Sequence, residues 1–503
     1  MADLIAGTSD SIIKENIRGL RAQGFSETEA ISRANKYAAD MGGGDSPDSD
    51  DSGSRSVEED ESESVDRQFV VVTKDFSGLG WAKKLMEEGE TVTVAHCCEE
   101  TEAKDKKLYN MVGEGWLKTM PLSEAIGKLK TDSTYWLFAE NAFPEEADKL
   151  RAAGQKVFGT SAFQEKMEHD RNYAVQTAEE CGLAVPPTQE FSTREEGLAF
   201  MDENPDKAYV FKPDDGKFNY LTFVPVRKKD EDANRETFTY LEHMKDDPGT
   251  YILQKRISQE AGTEVCVEAW FYEGEPLLAT LGLEVKRKQT YDLGEMAGCG
   301  GDFSQIIPLD CKLVTTTVGT MFDFYREQNY TGIADVNIIY TADGPQFLEV
   351  CNRFGYNAHP NLFLGLALDG FGSILADWID GNVEGMQDRF RKDIGCSLTF
   401  FLDHPREGLP LHIDPKWEEQ FYPFDGYKED GTYLLTGYSD EVGMFVDHGA
   451  TVEAAAKAVY SKVIDGEAVS VPDMYYRTDL ADTDYYNAPV LRYKKLKSMG
   501  LIP

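Results

Sequence analysis

"GIADVNIIYTADGPQFLEVCNRFG", residues 332–355, alternates side chains on either side of the turn sequence ADGP, which is the pattern of a β-hairpin. Asp335 and Asn337 are two apart on the first arm and share one face of it. Glu349 closes the second arm, so Asp335 and Glu349 can converge across the hairpin. Asn352 and Arg353 follow at once. A carboxylate at the end of a buried strand is costly unless a cation sits against it. Taken alone, the stretch also fits a plain ion pair at a strand end. The rest of the chain separates the two readings.

Other charged side chains also stand at strand ends. Lys212 ends "YVFK"; Gln254, Lys255 and Arg256 lie in "ILQKRI"; Glu264 opens "EVCVEAWF"; Lys286 and Arg287 end "LGLEVKR". Two carboxylates beside several cations suit a hard divalent ion holding phosphate oxygens, with the lysines neutralising the remaining charge. The chain has no GxxxxGK[ST] loop, so a nucleotide would not be held in P-loop fashion. "GLGWAK" has two of the three dinucleotide-fingerprint glycines and reads as a tight strand-to-helix turn.

The length of 503 residues is too great for one core and predicts about three domains. No apolar run approaches the roughly 20 residues that span a bilayer, and "MADLIAGTSDSIIKENIRGL" lacks the basic start and apolar core of a secretory signal. Eight cysteines without a CxxC pair read as a reduced set, so the expected location is the cytoplasm, or a host cytoplasm for a viral chain. No histidine pattern for zinc is present. A net charge of −39 repels nucleic-acid backbone and disfavours nucleic-acid binding.

Along the chain, residues 1–40 read as a helical extension and 41–66 as a disordered acidic linker rich in Gly, Ser, Asp and Glu. Strands alternating with helices over 67–160 predict a parallel α/β domain. Residues 161–395 form the next unit, with a strand-rich subdomain at about 186–256. It includes "LTFVPV" as a strand, long antiparallel strands around "EGEP", and "TTTVGTMFDFYREQ" as a helix. Residues 396–485 read as a C-terminal α/β domain and 486–503 as a tail.

In their order and spacing these motifs resemble the ATP-grasp superfamily, and within it the phosphoribosylamine–glycine ligases. The similarity covers residues 67–480: "FVVVT…SGLG", "FAENAF" with Glu140, "LRAAGQKVFGTSAFQEKMEHDRNYA", "VFKPDDG", "EVKRKQTYDLGEMAGCGGDFS", "FLEVCNRFG" and "GATVEAAAKAVYSKV…MYYRTDL". The resemblance implies an ATP-grasp architecture with an N-terminal parallel-sheet domain, a clamp and a C-terminal α/β domain. It further implies an ATP-dependent ligase joining a carboxylate to an amine through an acyl phosphate. Lys212 and Glu264 would contact the nucleotide, and Gln254, Lys255 and Ile257 would lie in an adenine hinge. Glu349 with Asp335 or Asn337 would hold Mg2+ or Mn2+, with Asn352 brought in by a bulge; Arg353, with Lys286 and Arg287, would act on the transferring phosphoryl group. The substrates would be small molecules. The front helices, through "GLRAQGF", resemble ubiquitin-associated domains and the leading helices of some phage-encoded proteins, which implies a protein partner for that segment.

Several positions depart from the family. Its Glu-x-Asn metal pair is here Glu349-Val350-Cys351, with the asparagine one residue late. The glycine-rich phosphate loop is "DDGKFNYLTF", the substrate loop is "LGEMAGCGG", and "YNAHP" follows the arginine motif. The ATP side is better kept than the acceptor side. Two alternatives stay open: a ligase using a different amine, such as a modified nucleotide or base, and an inactive binding or structural protein on the same scaffold.

Overall fold

The computed structural model describes residues 67–97, 106–214, 221–247, 249–257, 262–465, 467–485 and 487–503. The expected helical extension and acidic linker lie outside these residues, as does most of the "DDGKFNYLTF" loop.

The described chain opens with a five-stranded parallel sheet: β1 (Gln68–Thr73), β2 (Thr91–His96), β3 (Thr119–Pro121), β4 (Thr134–Phe138) and β5 (Lys156–Phe158), in the order β3-β2-β1-β4-β5. The run Phe69–Val72 is apolar throughout because helices cover both faces of such a sheet. Next comes a small antiparallel sheet with the order β6 (Thr188–Phe191), β8 (Tyr251–Lys255), β7 (Tyr209–Pro213). Helices Arg194–Glu203 and Asp230–His243 accompany it, the first started by a capping box between Thr193 and Glu196. "LTFVPV" is not a strand: it makes a single bridge, Phe211 to Phe223.

The main body is a ten-stranded sheet whose path begins β14 (Gly344–Cys351), β13 (Gly332–Thr341), β9 (Gly262–Tyr272), β10 (Glu275–Gly282), β12 (Leu293–Ile307), β15 (Ile394–Leu402). β11 (Val285–Gln289) pairs with β12 off this path. The path continues through Glu441–Gly449 and Phe421–Pro423. The division expected at residue 396 therefore falls inside a continuous sheet: β15 pairs with β12 on one side and Glu441–Gly449 on the other. The expected tail is also part of the body, because helix Pro489–Ser498 buries Val490, Arg492 and Leu496.

"TTTVGTMFDFYREQ" breaks into pieces, Lys312–Thr315, Val318–Met321 and Phe322–Glu327. Thr316 and Thr317 donate their hydroxyls to carbonyls four residues back, at Lys312 (2.7 Å) and Leu313 (2.5 Å). Such back-bonding, with Gly319 next in line, favours short turns over one helix.

Where the two large sheets meet, Trp270 and Trp378 stack with centroids 4.5 Å apart and Phe354 packs edge-on to Trp270. Phe354 directly follows Arg353, so this aromatic cluster fixes the chain at the hairpin's end. Trp270→Ala should cost about 3–5 kcal/mol, read as a lower urea midpoint at unchanged slope.

Candidate functional site

The hairpin of β13 and β14 pairs Asp335 with Cys351 and Asn337 with Glu349. β9 lies on the other side of β13, placing Glu268 opposite Asp335, Cys266 opposite Asn337 and Glu264 opposite Ile339. Strand alternation puts Glu349, Asn337, Asp335, Glu264 and Glu268 on one face of the sheet. The expected convergence of Asp335 and Glu349 is thus a shared face, but the residue directly across from Glu349 is Asn337.

Cations surround Glu349. Arg171 approaches its carboxylate at 3.6 Å. Burial alone would push the Glu349 carboxyl up, but Lys286, Arg171, Lys212 and Arg353 outweigh it and hold it at about 2. Lys212 reaches from β7 to donate to Gln254 Oε1 (3.0 Å) and to the carbonyl of Leu348 (3.2 Å). It thereby ties the small sheet to the strand that carries Glu349. Burial and Arg171 bring its ammonium down to about 8, against the pull of Glu349 and Glu264. Burial also acts against Lys286, yet Glu284, Glu349 and Glu264 hold it protonated well above the ordinary lysine range.

The cleft between the small sheet and the main sheet has a volume of about 1400 Å³. Lys212, Gln254, Lys255, Ile257, Glu264, Lys286 and Arg287 all line it, so every residue expected on the nucleotide side faces one space. Arg287 stands apart from Glu349: one residue beyond Lys286, its guanidinium donates to the carbonyl of Gly294 (2.7 Å) at the cleft's rim.

Arg353 faces a second cavity and pairs with Glu168 (2.9 Å). Asn352 goes elsewhere. Its side chain is fully buried against the Tyr325 hydroxyl (3.3 Å), and its carbonyl accepts from Gln164 (2.7 Å), so no bulge brings it to Glu349. Cys351 lies near Arg353 (3.7 Å) and burial raises its thiol well above the ordinary range. Asp335 is likewise raised well above its usual range, by burial and then by Glu268 and Glu284, and it accepts from the Cys266 thiol. Glu268, at about 7 through burial, accepts from Trp270 Nε1 (2.6 Å) and the Gly355 amide (3.2 Å). Among the described residues, no group of three His, Cys, Asp or Glu is arranged to hold a metal ion.

Sequence reasoning missed Glu268, Glu284, Arg171, Glu168 and Arg492. Glu268 was within reach, because "TEVCVEAW" repeats glutamate four positions on, the same face of a strand. Arg492 gives no local signal. It comes from the supposed tail and donates to the carbonyls of Glu264 (3.1 Å), Leu283 (3.2 Å) and Glu284 (2.8 Å), fixing the two strand ends that face Lys286.

No family model matches the chain. Phosphoribosylamine–glycine ligase of Streptococcus pneumoniae is 22% identical over 379 residues, covering 71% of this chain and 86% of the relative. That of Ralstonia nicotianae is 22% identical over 346 residues, covering 66% and 80%. The solved phosphoribosylamine–glycine ligase of Thermotoga maritima superposes with a TM-score of 0.59 at 16% identity, covering 82% of this chain and 99% of that one. The chain therefore shares the fold of these ligases and is similar to them in sequence at 22% identity. A biotin carboxylase complex from Campylobacter jejuni, titled with β-γ-ATP, shares the ATP-grasp fold at a TM-score of 0.56 and 11% identity, covering 86% of this chain and 95% of that one. The small sheet β6–β8 and the β13–β14 hairpin line the same cleft.

Lys212 carries a pH prediction. Its ammonium is intact below about 8 and lost above. A bound phosphate raises that value, so affinity for a non-hydrolysable ATP analogue should be flat below pH 8 and fall by up to about tenfold per unit above it. Calorimetry should show proton uptake on binding in that range, and Lys212→Met should remove both effects.

Proposed function

We propose that this chain is an ATP-dependent ligase that joins a carboxylate to an amine through an acyl phosphate, in the manner of the phosphoribosylamine–glycine ligases. The observation that carries this reading is the cleft closed by Lys212. A buried cation, Lys212, and a half-buried one, Lys286, which also pairs with Glu284, act there on an ionised Glu349 in a protein whose net charge is −39. Such a site is arranged for phosphate oxygens and for little else.

Lys212 and Lys286 bind phosphate oxygens, while Gln254, Lys255 and Ile257 lie along the clamp side of the cleft, where the base would rest. Arg353, at the border with the second cavity, neutralises charge on the phosphoryl group in transit. Glu349 and Asn337 are the pair that fits a magnesium or manganese ion. Both donors are hard oxygens directly across one strand pair, and magnesium needs only one or two protein ligands when phosphates supply others. The ion, when bound, neutralises phosphate charge and aligns the transferring group. Asp335 belongs with Glu268 instead, where Gly355 and Cys266 hold the two carboxylates in the interior. Cys351 is a soft donor and takes no part in binding a hard ion. The substrate carboxylate takes the phosphoryl group, the amine attacks the acyl carbon, and phosphate leaves with the bonding electrons as the amine gives up a proton. Among the described residues, no helix is long and apolar enough to cross a membrane, and a cytoplasmic location fits the reduced cysteines.

ADP release should require ATP, a divalent ion, a small amino-acid carboxylate and an amine together. Glu349→Gln should lower turnover by about 10²–10³-fold, Cys351→Ala should keep most of it, and Cys351→Asn should equal or exceed the parent. ADP release that ignores both carboxylate and amine would remove the ligase reading. A fully active Glu349→Gln chain would remove the metal assignment.

A further inference from the structure

The second cavity, about 2130 Å³, lies where Arg353 and Gly355 face the ends of β1 and β4. The sheet order β3-β2-β1-β4-β5 reverses direction between those two strands, which is where ligands of open parallel sheets bind. On the reading above, this is the acceptor side.

Its charge is opposite to that of the nucleotide cleft. Ten Asp and Glu residues line the cavity against three Lys and Arg. The nucleotide cleft has eight Lys and Arg against seven Asp and Glu. Arg353 is already paired with Glu168 (2.9 Å) and Lys149 with Glu145 (3.1 Å). His96 adds no charge, because burial lowers its basicity, and the same holds more strongly for His359.

The groups that would greet a phosphate at this crevice serve the protein's own carboxylates. Glu140 accepts from the hydroxyls of Thr73 and Ser77 and from the Lys74 amide (3.1 Å), and Asp75 accepts from the Ser77 amide (2.9 Å). These donors precede helix Leu79–Glu87, so the anion position at its start is filled by side chains. Burial, and then the hydrogen-bonded Asp75 beside it, push the Glu140 carboxyl well above the usual carboxylate range, so a phosphate dianion arriving there would meet an acidic pair whose ionised form only a cation would stabilise.

An independent observation asks for a donor. Asn141 is 5% exposed and lines the cavity. Its Nδ2 donates to Glu168 (2.6 Å), and its Oδ1 finds no donor among the described residues. An ammonium or guanidinium reaching that oxygen would satisfy it and offset the carboxylates beside it.

We propose that the acceptor is an amine that carries a second amino or guanidino group, protonated at neutral pH, and no phosphate, its cationic end held by Asp75, Glu140 and Asn141 while its free amine meets the acyl phosphate near Arg353. This rests on the ligase reading and separates the chain from relatives whose named acceptor is phosphoribosylamine. The step balances as above: a C–N bond forms, the acyl C–O bond breaks, and the attacking amine loses one proton while the anchoring cation keeps its own.

The test uses the full chain with ATP, magnesium and glycine. 1,4-Diaminobutane is set against phosphoethanolamine and phosphoribosylamine, with ADP release and amide mass as readouts. The diamine should exceed both phosphorylated amines at least tenfold in kcat/KM. A parallel measurement needs no turnover: calorimetry of diamine, phosphoethanolamine and inorganic phosphate. Diamine binding should weaken at least tenfold in Asp75→Asn, an exposed position that should not disturb folding, and in Glu140→Gln. Preference for a phosphorylated amine in either assay, or diamine affinity unchanged in Asp75→Asn and in folded Glu140→Gln, overturns the proposal. Diamine binding that depends on Asp75 without ADP release would leave the cationic site standing and sink the ligase reading instead.

Discussion

Everything at the site depends on one balance: a glutamate at the end of a buried strand, kept charged by cations from four different parts of the chain. Lys212 comes from the clamp, Arg171 from the helix before it, Lys286 from the strand beyond β10, and Arg353 from the turn after the hairpin. Remove the glutamate's charge and four cations are left facing one another in low dielectric. Remove the cations and a half-buried carboxylate loses the charges that hold it below the usual carboxylate range. Glu349 is the carboxylate these cations have in common, although Lys286 also pairs with Glu284 and Arg353 with Glu168 (2.9 Å). On the reading proposed above, a polyphosphate with a divalent ion would complete the set.

The protein achieves this against its own composition. With 90 acidic and 51 basic side chains, its surface field repels anions. Lys and Arg on the small sheet's side and on β11 offset the acidic residues within the cleft, eight against seven, while the second cavity keeps the sign of the protein as a whole. The two cavities thus differ in charge, and Arg353, ion-paired to Glu168, faces the second.

Support for the site comes from far along the sequence. Arg492, in the last helix, holds the carbonyls beside Glu264 and Glu284. Arg477 is buried against Asp479 and Asp292 and donates to the carbonyl of Arg287 (3.0 Å). These arginines touch no part of the cleft's centre, yet they set the strand ends on which Lys286 stands. A C-terminal truncation is for this reason an alteration of the site.

The sequence by itself determined the α/β class, the parallel opening sheet, the hairpin around ADGP and the set of strand-end charges, because each is written in local periodicity and turn residues. The grouping of Lys212, Gln254, Glu264 and Lys286 around one cleft was legible for the same reason: each ends or opens a readable strand, as Glu349 does. The tertiary structure decided what depends on register and on distant chain. A bulge between Asn337 and Ile338 sets which residue faces Glu349 and gives that place to Asn337, leaving Asp335 with Glu268. The packing of Tyr325 claims Asn352, which the family resemblance, with a bulge, would have placed near a metal. The continuity of one sheet across residue 396 and the burial of Arg492 were invisible for a related reason: strand partners and buried cations chosen hundreds of residues away leave no mark on the local pattern.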